Sequence, residues 1–276
     1  MIKPPGISSD TTIRELLHLG YTTFSPAPAY SDWIDHYWAI SADLHEPTTE
    51  TYYPDGGSSL TFTFEDNADK GIWFNATQKL IHTTFSGKVE RFGVRFFPGG
   101  IYALLGLDCE THKGEGDQAV SELALPPCDS LFQAMLDNDT QTRIQCFEQW
   151  LENYSHLRQD NGPVQHLWPR LLRFETDIPE DLEGQGISRR RFERLFRQQT
   201  GITPNKFKML RRIKQARYLI KSNPELPLTE VAIQCGYFDQ AHFNRHFRQL
   251  VGLTPGNYKE QQQDKVARQE MAVEAR

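Results

Sequence analysis

The sequence predicts a two-domain protein, with an acidic α+β N-terminal half and a basic, all-α C-terminal half that holds two helix-turn-helix units. Three observations lead there. The 276 residues suffice for about two ordinary domains, each able to bury a core of its own. Short aromatic and β-branched runs crowd the first hundred residues, whereas the chain from about Pro163 to Tyr258 repeats with a helical period. The net charge of −6 is also uneven: residues 161–260 hold 17 Lys and Arg against 10 Asp and Glu, while residues 1–160 hold 10 against 23. The C-terminal half would be drawn to a polyanion that the N-terminal half repels.

In chain order, residues from about 20 to 98 read as strands. "WIDHYWAI", "SSLTFTF", "GIWF" and "VERFGVRFF" contain apolar–polar alternation, and "PDGG" and "PGG" punctuate them, the pattern of a sandwich or small barrel. Residues 99–157 turn helical. "TRIQCFEQWLENYSHL" sets Ile144, Phe147, Leu151 and Tyr154 on one stripe with Trp150 and Leu157 beside it, to pack within the domain or against a second copy. This first domain, 1–157, ends at a linker, 158–162, and the helical domain covers 163–260. Residues 261–276 read as a polar tail.

The pattern also excludes several functions. The N-terminus has no basic-then-apolar leader, and no apolar run reaches the roughly 18 residues of a spanning helix, so the expectation is a cytoplasmic chain off the membrane. The cysteines Cys109, Cys128, Cys146 and Cys235 are scattered, with no C-x-x-C, and read as reduced buried thiols. His36, His45, His82 and His112 are isolated, with no H-x-H, and neither G-x-S-x-G nor a P-loop occurs. We therefore expect no enzyme, no metal and no cofactor.

The basic half contains one unit twice. Displaced by 51 residues, 236–258 falls on 185–207: Phe243 on Phe192, Arg245 on Arg194, Phe247 on Phe196, Arg248 on Arg197, Gly252 on Gly201, and Thr254-Pro255 on Thr203-Pro204. Asp239 and Ser188 are N-cap residues, the phenylalanines face inward with Leu250 or Leu195, and each glycine ends its helix in the left-handed conformation. "LTEVAIQCG" before the second unit supplies a short helix with Val231, Ala232 and Cys235 turned inward. Two helices joined by a tight glycine turn make a helix-turn-helix. Between the units, 203–223 forms a helix with Phe207, Leu210, Ile213 and either Leu219 or Ile220 inward. Its length of roughly 27 Å approaches one DNA turn of about 34 Å, so two reading helices could enter successive major grooves.

On the outer face of the second unit lie Gln240, Ala241, Asn244, Arg245 and Arg248. Amides suit adenine, Arg suits guanine, and a small apolar group suits the thymine methyl. The matching stripe is Arg189, Arg190, Glu193, Arg194 and Arg197, where Glu193 suits a cytosine amino group. We assign Gln240, Ala241, Asn244, Arg245, Arg190, Glu193 and Arg194 to bases, and Arg189, Arg197 and Arg248 to phosphates.

These motifs, above all "LTEVAIQCGYFDQAHFNRHFRQLVGLTPGNYK", resemble the C-terminal domain of the AraC/XylS family of bacterial transcription regulators over about a hundred residues, 163–260. The resemblance implies a seven-helix domain that inserts both reading helices into the major groove of double-stranded DNA. Contact with RNA polymerase, or occlusion of it, would then regulate transcription. The chain departs from the family at 177–188, "DIPEDLEGQGIS", where Leu182 rather than a small Ala precedes the turn glycine; that helix is expected to be short or distorted. Residues of about 20–150, with "YYPDGGSSLTFTF" and "FSGKVERFGVRFFPGGIYALLG", resemble an uncharacterised sensor-type domain found ahead of AraC-like domains. This resemblance implies a cupin-like β-barrel followed by helices, serving small-molecule sensing, homodimerisation or both. Trp38, Tyr52, Phe62, Phe64, Trp73 and Arg95 either line a ligand pocket there or simply fill the barrel. Two other readings stay open: a helix-turn-helix scaffold that binds a protein partner, and a cupin-like effector-binding protein with secondary DNA contact.

Overall fold

In a computed structural model, alternation in the first hundred residues produces the strands β1 (Thr22–Phe24), β2 (Ile34–Tyr52), β3 (Ser58–Thr63), β4 (Gly71–Ala76) and β5 (Ile81–Phe96), and the short β6 (Gln118–Ala119) follows. It describes residues 16–65, 69–76, 78–112, 117–155, 182, 184 and 186–274. The six strands make one antiparallel sheet in the order β1-β2-β5-β3-β4-β6. Its backbone is the long β2–β5 pair, which runs from Ile34 opposite Phe96 to Tyr52 opposite Ile81 with two register shifts.

Register decides which side chains share a face, because partners across a ladder point the same way. Ala39 opposes Phe92, Phe92 opposes Phe62, and Phe62 opposes Ile72, giving an apolar row. The next row is Trp38, Gly93, Thr61 and Trp73, on the opposite face. A methyl group on Gly93 would meet the Trp38 indole at 2.0 Å, so only glycine lets that ring lie against the strand.

The apolar face is covered by α1 (Gly100–Leu105), α2 (Asp129–Met135) and α3 (Thr140–Ser155). The α3 stripe of Ile144, Phe147, Trp150 and Leu151 is buried there, with the Phe147 ring 6.0 Å from Tyr37 and 6.4 Å from Phe62. This helix therefore closes the core of its own domain. Leu157 and the expected linker 158–162 lie outside the described residues.

The C-terminal part is helical throughout the described residues: α4 (Arg189–Thr200), α5 (Pro204–Ser222), α6 (Leu228–Gln234), α7 (Gln240–Val251) and α8 (Pro255–Glu274). Phe207, Leu210, Ile213, Ala216 and Ile220 form the buried stripe of α5, so Ile220 rather than Leu219 takes the inner position. Helix α8 runs through most of the stretch expected as a polar tail. Backbone contacts group the sheet, α1–α3 and α4 in one compact unit, within Ser8–Tyr52 and Gly56–Pro204. Helices α5–α8 form the other, within Asn205–Arg276 and with Tyr53–Asp55 attached. Helix α4 belongs to the sheet's unit because the Cys109 N–H donates to the Gln198 carbonyl at 2.9 Å, beside an ion pair between Arg197 and Glu110.

Candidate nucleic-acid interface

Helices α4 and α7 are each 12 residues long and are built alike. The Ser188 hydroxyl accepts from the Arg191 N–H and the Asp239 carboxylate accepts from the His242 N–H, each satisfying one orphan donor of a first turn. Both helices end at a left-handed glycine, Gly201 at φ 72° and Gly252 at φ 79°, whose N–H bonds back to Arg197 or Arg248. Phe192 and Phe196 are buried on α4, as are Phe243, Phe247 and Leu250 on α7; Leu195 is only half-buried.

The preceding glycine turns make equivalent backbone bonds. After Gly186 at φ 74° the Ile187 N–H bonds the Leu182 carbonyl at 3.1 Å; after Gly236 at φ 75° the Tyr237 N–H bonds the Ala232 carbonyl at 3.0 Å. Helix α6 buries Val231 and Ala232, with Cys235 following at its end, as the sequence suggests. Of the first unit's leading segment, 177–188, only 182, 184 and 186–188 are described.

With the phenylalanines turned in, Gln240, Ala241, Asn244, Arg245 and Arg248 are presented along α7, as are Arg189, Arg190, Glu193, Arg194 and Arg197 along α4. The two stripes differ electrostatically. On α4, Arg189 pairs with Glu193 at 3.2 Å, and Arg197 pairs with Glu110. Two cations and the one candidate cytosine acceptor are thus engaged within the chain. Among the described residues, Arg245 and Arg248 make no ion pair.

One feature of α7 has no sequence signal beyond two histidines four residues apart. His242 and His246 set their Nε2 atoms 3.0 Å apart, so one proton can be shared, and the Tyr237 hydroxyl lies 3.2 Å from His246 Nδ1. Burial, with the nearby His242, Arg245 and Arg212, holds His246 below its ordinary pKa. Burial also pushes the Tyr237 phenol up to about 12, against the opposing charge of Arg212.

The six residues expected around a ligand pocket divide between the two faces of the sheet. Phe62 is fully buried against Phe92 and Phe147, and Phe64 stacks on Phe132 beneath the Arg143 guanidinium. These two fill the helix-covered core. Trp38, Trp73 and Arg95 stand on the other face, where Tyr21 stacks on Trp38 and Arg95 donates to the Ser59 hydroxyl at 3.1 Å. Tyr52 neighbours Tyr21 on that side, and burial raises both phenols. The period-two alternation of a strand forces this division. Among the described residues no three His, Cys, Asp or Glu side chains gather as metal ligands, and no helix is long and apolar enough to cross a membrane.

Comparison with known proteins bears on both parts of the chain. Residues 184–261 match a family described as a helix-turn-helix domain, and residues 22–115 match a domain of unknown function, DUF6597. The probable transcriptional regulator LumQ of Photobacterium leiognathi is 28% identical over 179 residues, covering 62% of this chain and 64% of LumQ. The transcriptional activator RhaR of Cronobacter sakazakii is 36% identical over 104 residues, covering 36% of each chain. The match to each of these curated relatives thus spans less than two-thirds of its length. Among solved structures, ToxT of Vibrio cholerae O395 aligns with 80% of this chain and 95% of its own, at 11% identity and a TM-score of 0.37.

Proposed function

From a chain that carries an AraC-type helix-turn-helix domain behind a DUF6597 domain, we propose a sequence-specific, DNA-binding regulator of bacterial transcription, acting in the cytoplasm. The observation that carries the reading is the duplicated helix. Two helices with equivalent caps and equivalent buried phenylalanines each turn a polar, arginine-bearing stripe to solvent. A helix that only closes a core needs the phenylalanines; the stripe serves recognition. Helix α7 is the principal reader. Gln240 and Asn244 suit adenine, Arg245 suits guanine O6 and N7, Ala241 suits a thymine methyl, and Arg248 takes a phosphate. Helix α4 reads a second half-site with Arg190, Glu193 and Arg194, while Arg189 and Arg197 take phosphates once their carboxylate partners release them.

The N-terminal domain is proposed as the sensor, and the chain as a homodimer that acts on RNA polymerase. Its effector site is the sheet face bearing Trp38, Trp73, Tyr52 and Arg95, where aromatic rings and a guanidinium suit a small anion with an apolar body. We assign no catalytic role.

Selection from random duplex DNA by the full-length chain, at fixed physiological salt, tests the reading. Two half-sites about one helical turn apart are expected, or a single one if α4 stays engaged by its own carboxylates. A chain that enriches no sequence would overturn the assignment in favour of a protein-binding scaffold.

A further inference from the structure

The two turns that lead into the reading helices are not the same length. In the first unit, Gly186 is followed by the buried Ile187 and then directly by the cap Ser188. In the second, Gly236 is followed by the buried Tyr237, and one more residue, Phe238, stands before the cap Asp239. The backbone bonds that align Ile187 with Tyr237 leave Phe238 without a counterpart. This extra residue is 106% exposed, against 4% for its neighbour Tyr237. It and Ile233, which is 65% exposed, are the large hydrophobic side chains exposed to solvent among the described residues.

An aromatic ring held in water forgoes its whole burial energy, and nothing in the turn requires it: Tyr237 supplies the core contact and Asp239 the cap. Phe238 sits at the N-terminal end of α7, next to the exposed Gln240 and Ala241. In helix-turn-helix complexes that end enters the major groove and touches base edges. The partners available to an apolar ring there are the thymine C5-methyl groups. Arg245 and Arg248 on the same helix provide the charge that draws a phosphate-lined groove to this surface.

We propose that Phe238 is a specificity-determining residue that reads thymine, packing its ring on one or two C5-methyl groups beside the bases taken by Gln240 and Ala241. The inference rests on the DNA-reading assignment above. It predicts a thymine preference in the α7 half-site that the α4 half-site, whose turn lacks the residue, does not share at the equivalent position.

The test uses the full-length chain and its selected duplex. Single thymines are replaced by uracil, which removes only the methyl group, and affinity is compared for wild type, Phe238→Ala and Ile233→Ala at fixed salt. Wild type should lose about three- to tenfold on one or two uracil-substituted positions at the edge of the α7 half-site. Phe238→Ala should bind the thymine duplex weaker by a similar factor and be indifferent to uracil there, while Ile233→Ala keeps the wild-type pattern. Because Phe238 is exposed, unchanged thermal unfolding will show that the variant is folded. Equal uracil sensitivity in wild type and Phe238→Ala would overturn the inference while leaving DNA reading intact. Unaltered DNA recognition with lost transcription activation would also overturn it and assign the ring to a protein. A wild-type chain that selects no DNA would remove the underlying reading and this inference together.

Discussion

Arginines of one stripe differ in what they can read. Arg245 lies in the middle of α7, where a guanidinium can form a bidentate pair with guanine, whereas Arg248 lies one turn further towards the C-terminus. Arg245→Ala should therefore cost about 1–3 kcal/mol on the preferred duplex and relax one base position. Arg248→Ala should weaken all sequences alike and lower the salt slope by about one. Comparing the selection profiles of both variants checks the split; an unchanged profile for Arg245→Ala would remove it from the reading set. The sequence made both arginines legible as candidates, because their spacing against Phe243 and Phe247 fixes the face they occupy. It was silent on the ion pair of Arg197, whose partner Glu110 lies far earlier in the chain.

At the scale of the helix, α7 depends on its first turn. The Asp239 carboxylate accepts from the His242 N–H at 2.7 Å, and Asp239→Ala should destabilise the C-terminal unit by about 1 kcal/mol in chemical denaturation. Its flank is expected to respond to pH. Folded His246 resists protonation, chiefly through burial and then through His242, Arg245 and Arg212, while in the unfolded chain it titrates near 6.5. As pH falls through 6.5 the unfolded state binds more protons than the folded one, so the contribution of His246 to stability is present above that pH and lost below it. Melting temperature should fall between about pH 7.5 and 5.5, and His246→Gln should flatten that dependence. An identical slope in the variant would exclude His246 as the cause. The capping residues and turn glycines that shape this helix were legible in the sequence because they act on their immediate neighbours. The His242–His246–Tyr237 contacts were not, since they depend on which flank of α7 meets the preceding turn.

For the whole molecule, the basic C-terminal half and acidic N-terminal half predict how DNA affinity responds to salt. Each phosphate neutralised by Lys or Arg releases counterions, so log affinity should fall with log salt at about −0.9 per phosphate engaged. A titration from about 50 to 200 mM salt on the selected duplex measures that slope. A value near zero would mean that the arginines of α4 and α7 do not meet phosphates. The same scale decides the fate of the aromatic residues in the N-terminal domain. Composition groups Trp38, Tyr52, Phe62, Phe64, Trp73 and Arg95 as one set, but ladder pairing sends Phe62 and Phe64 into the core and leaves Trp38, Trp73 and Arg95 on the opposite face.

By itself the sequence determined what depends on neighbours along the chain: the strand and helix periods, the caps at Ser188 and Asp239, the left-handed ends at Gly201 and Gly252, and the duplication that joins them into one repeated unit. Only the tertiary structure decided what depends on residues distant in sequence. It set the face each aromatic occupies, the choice of Ile220 over Leu219, the pairing of Arg197 with Glu110 and the exposure of Phe238. The physical reason is range. Propensities and caps act over a few residues of backbone, whereas burial and ion pairing depend on which surfaces packing brings together.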